Sequence, residues 1–158
     1  MVLIRLLHIV ISFWFFSGLI GRWLAYTYAR RAADIQTAGT LLQLSDRFER
    51  IMVIPGSQVL LVSGLLTAWL SGRSLLGGAH ANWLLVSLLL YVALIPVVVF
   101  LLVPRRRHRL GAIDRALEQG MLTSELVAAL KDPVVIWARG AELLVSVVIL
   151  ILMILKPF

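Results

Sequence analysis

Four apolar runs, each long enough to cross a bilayer, constrain this 158-residue chain more than any other feature. They cover residues 6–24, 51–70, 83–103 and 134–155. A helix rises about 1.5 Å per residue, so roughly 20 residues match the hydrocarbon core. Inside that core every backbone N–H and C=O must find a partner, and a helix supplies one within a single segment. The sequence therefore predicts an all-α integral membrane four-helix bundle, with helices at about 3–26, 50–71, 83–103 and 133–155. These spans take up most of the chain, which predicts a single transmembrane domain over residues 1–158. The run near the N-terminus exceeds a signal-peptide core and no A-x-A-like site follows it, so it reads as a retained first helix.

With 61 % hydrophobic and 15 % charged residues, the composition is too apolar for a soluble domain of this length. There is no cysteine, which removes disulfides, thiol redox chemistry and thiolate metal ligation from this chain. The net charge of +7 points to anionic headgroups and not to nucleic acid, because most arginines flank the spans. Arg22, Arg30, Arg31, Arg47 and Arg50 surround the first connection, and Arg105, Arg106, Arg107, Arg109, Arg115 and Lys131 the third. Only Arg5, Arg73 and Lys156 lie toward the other side. This asymmetry predicts a bacterial cytoplasmic membrane protein with both termini outside. Trp69 and Trp83 are expected at the outer interface, Trp23 and Trp137 at the inner one.

Local signals mark the element ends. Pro104 is expected to close the third helix, and Asp132 with Pro133 to open the fourth as cap and first residue. Pro55 and Pro96 lie inside spans and predict kinks. Gly64, Ala68 and Gly72, with Ser17 and Gly21, offer small faces for close helix approach. In the connections, a break is expected near Gly39, with Ser45 opening the run into helix two. After Gly111, Ile113, Leu117 and Met121 recur at helical spacing, and a short amphipathic helix is expected there that ends at Gly120. A second, capped by Thr123, carries Leu126, Val127 and Leu130. Such segments are expected to lie along the headgroups.

Polar residues inside spans are the candidate site, because they are costly there and face a partner or a cavity. Arg5, His8, Ser12, Phe15, Leu19, Arg22 and Tyr26 form one stripe on helix one, and Arg139, Glu142, Ser146, Met153 and Lys156 another on helix four. His8 sits about 8 Å below the outer surface, where an imidazole ligates haem iron or copper, relays a proton, or bonds a neighbour such as Ser12. His80 lies near that level in a short loop, as a second ligand or a solvated residue; His108 falls at the opposite end. Glu142 sits about 12 Å from the inner surface, within reach of Arg139 and Arg22. This trio is either an ion pair tying helix four to helix one or a proton-carrying carboxylate. The chain has no phosphate loop, serine elbow, H-E-x-x-H or acidic metal pair, so hydrolase and nucleotide-dependent functions lack support.

Several short motifs carry a family resemblance. Leu7-His8-Ile9, followed by Trp14 and Gly18, resembles the first helix of the J-type protoporphyrinogen oxidases and of the copper-resistance D proteins. The Arg47–Gly56 stretch and the Leu155-Lys156-Pro157-Phe158 ending are also similar to the oxidases. The pattern of Trp83–Tyr91, Val103-Pro104-Arg105, the 120–133 segment and the Lys-Pro ending most resemble a family of predicted bacterial integral membrane proteins of unknown function. The oxidase resemblance implies haem b on the helix-one histidine, here His8. It also implies a helix-three lysine, and this chain has Ser87 there. Three functions follow as expectations: a redox or cofactor-handling protein with haem or copper at His8; a non-enzymatic structural or accessory subunit; and a small proton-coupled transporter using Glu142. Four helices also suit a homodimer or a larger membrane complex.

Overall fold

The computed structural model describes residues 2–72 and 82–155, and every element among them is helical. Helix α1 runs Val2–Ala29. Helix α2, Ile35–Phe48, passes through a π-helical stretch, Glu49–Val53, into α3, Ile54–Leu70. Helix α4, Asn82–Pro96, likewise passes through a π stretch, Val97–Leu102, into α5, Val103–Gln119. A short α6, Ser124–Leu130, precedes α7, Pro133–Leu155. Four helical runs are long and apolar enough to span a membrane, as the sequence predicts.

The two middle helices are longer than expected. The break near Gly39 does not occur: Gly39 is buried within α2 against Leu117 of α5, and a Cβ there would come within 3.2 Å of that side chain. Ser45 starts nothing; it is buried in mid-helix and donates to the Arg22 carbonyl at 3.3 Å. Pro104 does not close the third helix either, and the residues from Ile113 to Gln119 are the end of α5 and not a separate helix. Both proline-bearing junctions, at Pro55 and Pro104, follow a turn bonded i to i+5: Ile54 donates to Glu49, and Val103 to Val98. The wider turn makes room where a proline ring would otherwise meet the carbonyl one turn back.

Other end signals hold. Gly120 takes the left-handed conformation (φ 68°) that ends α5, Thr123 accepts from Leu126 N–H at 3.2 Å, and Asp132 accepts from Val134 N–H at 2.9 Å. An unanticipated cap, Asp34, accepts from Thr37 N–H at 2.8 Å, and that bond holds its carboxyl below the ordinary carboxylate range.

The spans pack as two pairs. One is α1 against α2, the first π stretch and α3; the other is α7 against α4 and the second π stretch. Glycine permits the first pairing. A Cβ at Gly18 would lie 2.5 Å from the Met52 Cβ, one at Gly21 2.8 Å from the Phe48 ring, and one at Gly56 3.2 Å from Phe15. Of the small residues singled out in the sequence, Gly21 and Gly64 make such contacts, Gly72 meets nothing within 4 Å, and Ser17 is exposed and bonds the Phe13 carbonyl.

Apolar burial is concentrated at the arginine-rich end. The largest cluster draws on Tyr26 and Ala29 of α1, Ile35 and Leu42 of α2, Ala112, Ile113 and Ala116 of α5, Leu126 and Leu130 of α6, and Val135 and Ala138 of α7. By contrast, no span buries more than 22 % of its most apolar window. The contrast follows from the solvent: lipid gives apolar side chains little reason to leave it, and water gives them a strong one. The helix over 35–70 is about 54 Å long against a hydrocarbon core of about 30 Å, so part of it must stand clear. Helices α2, α5 and α6 therefore close into a cap and bury their apolar faces on one another, where the sequence led us to expect segments lying along headgroups. Ion pairs between helices brace its surface: Arg106 Nε bonds Asp46 at 2.7 Å, Arg105 Nε bonds Asp132 at 3.0 Å, and Arg115 bonds Glu125 at 2.5 Å. Trp83 also departs from expectation. It is buried beside Ala68 and Leu84, whereas Trp69, Trp23 and Trp137 are exposed as an interfacial belt requires.

Candidate functional site: a buried ionic cluster between the helix pairs

The polar stripe on helix one follows the buried face. Phe15, Leu19, Arg22 and Tyr26 are buried in sequence along it, Ser12 and His8 are half-buried, and Arg5 is exposed. At the arginine-rich end of that stripe, Arg22 Nη2 donates to Glu142 Oε2 at 2.5 Å, across from α1 to α7. Of the two arginines considered from sequence, it is Arg22 and not Arg139 that meets Glu142. Arg139 instead reaches Glu49 of the first π stretch, with Nη2 to Oε2 at 3.6 Å, while Arg22 Nη1 stands 3.5 Å from the same oxygen. Glu49 is thus shared between two guanidiniums. Tyr26 completes the arrangement: its hydroxyl donates to the Leu130 carbonyl at 3.1 Å, and its ring carries the Arg139 guanidinium at 4.3 Å and the Arg109 guanidinium at 5.1 Å.

All four chain-spanning helical runs contribute to this cluster. Arg22, Tyr26, Glu49, Arg109, Arg139 and Glu142 are each no more than 8 % exposed, so the charges meet one another and not water. The cluster joins the two pairs, because Arg22 and Glu49 belong to one and Arg109, Arg139 and Glu142 to the other. Glu49, Arg109 and Tyr26's role as a platform were missed in the sequence. Glu49 lies between Arg47 and Arg50 in what reads as an interfacial run, and Arg109 lies within a basic cluster.

His8 is elsewhere. Its Nδ1 shares a hydrogen bond with Ser63 Oγ at 2.8 Å, and Ser63 Oγ also lies 3.2 Å from the Leu60 carbonyl. Ser12, the partner considered from sequence, bonds the His8 backbone carbonyl instead. The ring rests over Gly64, where a Cβ would approach Cε1 to 3.3 Å. His80 lies outside the described residues. His108 is exposed, 3.5 Å from Glu125. Ser87, where the oxidase resemblance implies a lysine, is buried and donates to the Trp83 carbonyl. Among the described residues, no three histidine, aspartate or glutamate side chains group so as to hold a metal. A packed ring over a glycine with a serine partner is not by itself a haem site, and this geometry does not carry the oxidase expectation. An apolar groove between Val97, Leu101, Pro133, Val134 and Trp137 offers only hydrocarbon.

Over residues 2–157 the chain matches the model of a family described as predicted integral membrane proteins, DUF2269. That match lends no support to the copper-resistance D resemblance. No curated protein and no solved structure matches the chain.

Proposed function

We propose that this chain, which belongs to the DUF2269 family of predicted integral membrane proteins, is a non-enzymatic accessory or scaffolding protein of a bacterial cytoplasmic membrane. On this reading the ionic cluster locks two weakly packed helix pairs to each other and to the cap, and the cap presents the working surface. One observation carries it: Glu142 and Glu49, the carboxylates of the seam, are both engaged by guanidiniums from another helix. A carboxylate held in that way ties its helix to the one that supplies the guanidinium.

A second reading, a redox or cofactor-handling protein, has a single observation in its favour. Ser63 engages His8 at Nδ1, and in the tautomer that carries its proton there the Nε2 lone pair is the one a haem iron or copper would take. Optical spectra and metal analysis of the detergent-purified protein separate the two. The accessory reading expects no Soret band and no copper. A stoichiometric cofactor retained by the protein and by His108→Ala but lost in His8→Ala would replace it with the redox reading.

The arginine-rich cap faces the cytoplasm in this proposal, with both termini outside, because basic residues resist translocation. A reporter fused after Phe158 is expected to behave as periplasmic and one inserted at Glu118 as cytoplasmic. The reverse pattern would place the cap outside.

A further inference from the structure

The ionic cluster does not balance. Three arginines, Arg22, Arg109 and Arg139, face two glutamates, Glu49 and Glu142, and all five are buried. Glu142 is taken by Arg22, and Glu49 stands at 3.5 and 3.6 Å from its two arginines, outside normal charge-assisted hydrogen-bond lengths. Arg139 Nε and Nη1 are buried with no hydrogen-bond partner, as is Arg22 Nε. Arg109 has no carboxylate partner among the described residues; its contact is the Tyr26 ring, which it shares with Arg139. An aromatic face attracts a cation but cancels no charge, and two guanidiniums over one ring repel each other. Buried N–H donors without acceptors carry an uncompensated desolvation cost. An oxyanion between Arg109 and Arg139 would supply the missing negative charge and give the Arg139 donors an acceptor.

We propose that the Arg109–Tyr26–Arg139 junction binds a single phosphate-type oxyanion, either a phospholipid headgroup or a free phosphate. Guanidinium forks suit this ligand because they donate two parallel bonds to tetrahedral oxyanions and stay charged when desolvated. Tyr26 holds the site in place, since its hydroxyl is fixed on the Leu130 carbonyl at the start of the turn that leads into α7. The position suits a headgroup, because Arg139 follows Pro133 by six residues and Arg109 follows Pro104 by five, near the level where apolar span gives way to polar cap. This goes beyond the clamp described above, which depends on the Arg22–Glu142 pair and would survive its failure.

The test uses the full chain in neutral detergent with two probes. Inorganic phosphate is titrated against chloride at matched ionic strength with thermal unfolding as readout, and phosphatidylglycerol is compared with phosphatidylcholine by native mass spectrometry. At least one probe is expected to bind the wild type, about tenfold more weakly to Arg109→Gln, with Arg109→Lys between them. Arg106→Gln, which removes a guanidinium already paired with Asp46, should bind as the wild type does. Response to phosphate identifies a soluble ion, and response to phosphatidylglycerol alone identifies a lipid. Wild-type affinity in Arg109→Gln, or no binding of either probe to the wild type, overturns the proposal. Should Arg109→Gln fail to fold, Arg109→Lys decides, and full wild-type affinity there means the planar fork is not what holds the ligand.

Discussion

Glu142→Leu should lower the unfolding free energy of the detergent-solubilised protein by about 3–5 kcal/mol, the range expected when one partner of a buried ion pair is removed. The replacement packs as well as glutamate in an apolar span, so the loss comes from what remains. Arg22 Nη2 would lose its acceptor at 2.5 Å, leaving the guanidinium only the Nη1 contact to Glu49 at 3.5 Å while it stays buried and charged. Glu142→Gln keeps the shape and one acceptor and should lose less. A chemical-denaturation series in one detergent measures both. Unchanged stability in Glu142→Leu would mean that Arg22 finds water or another acceptor, and that the helix pairs are held by something else.

Gly18→Ala should cost about 1–3 kcal/mol, the usual range for overpacking a close contact. A Cβ at this position would stand 2.5 Å from the Met52 Cβ and 3.5 Å from the Met52 carbonyl carbon, so the backbones of α1 and the first π stretch must separate. That separation would also loosen Glu49, three residues before Met52, from Arg22, four after Gly18. Gly140→Ala is the control: it lies on an exposed face of α7 with nothing within 4 Å and should hold stability or raise it slightly. Equal melting of the two variants would show that α1 and the first π stretch are not in close contact.

The parts of this fold that the sequence displays are those set by local chemistry. Span length fixes the four crossings, and Gly120, Thr123 and Asp132 end or cap helices where their side chains or missing Cβ dictate. Punctuation misleads where tertiary contacts use the same residue for another purpose. Gly39 is small because Leu117 lies against it, and Pro104 is tolerated because the preceding turn is widened. The candidate site divides in the same way. Arg22 and Glu142 are legible because a charge deep in an apolar run needs a partner. Glu49 is not, since the π stretch breaks the i+3/i+4 periodicity by which a buried face is traced, and its neighbours Arg47 and Arg50 resemble an ordinary interfacial run. Arg109 hides for a related reason. Four basic neighbours suggest headgroups, and only the approach of Tyr26 and Arg139 distinguishes it from them.

The central claim is that a buried ion pair couples the two helix pairs, and a double-mutant cycle on Arg22→Leu and Glu142→Leu tests it most directly. Each single change leaves a charge without its partner, and the double change leaves neither of the two. Pairwise coupling of about 2 kcal/mol is expected, with the double variant more stable than the sum of the single losses would allow. Additivity to within about 0.5 kcal/mol would contradict the claim, because residues that do not interact show that behaviour.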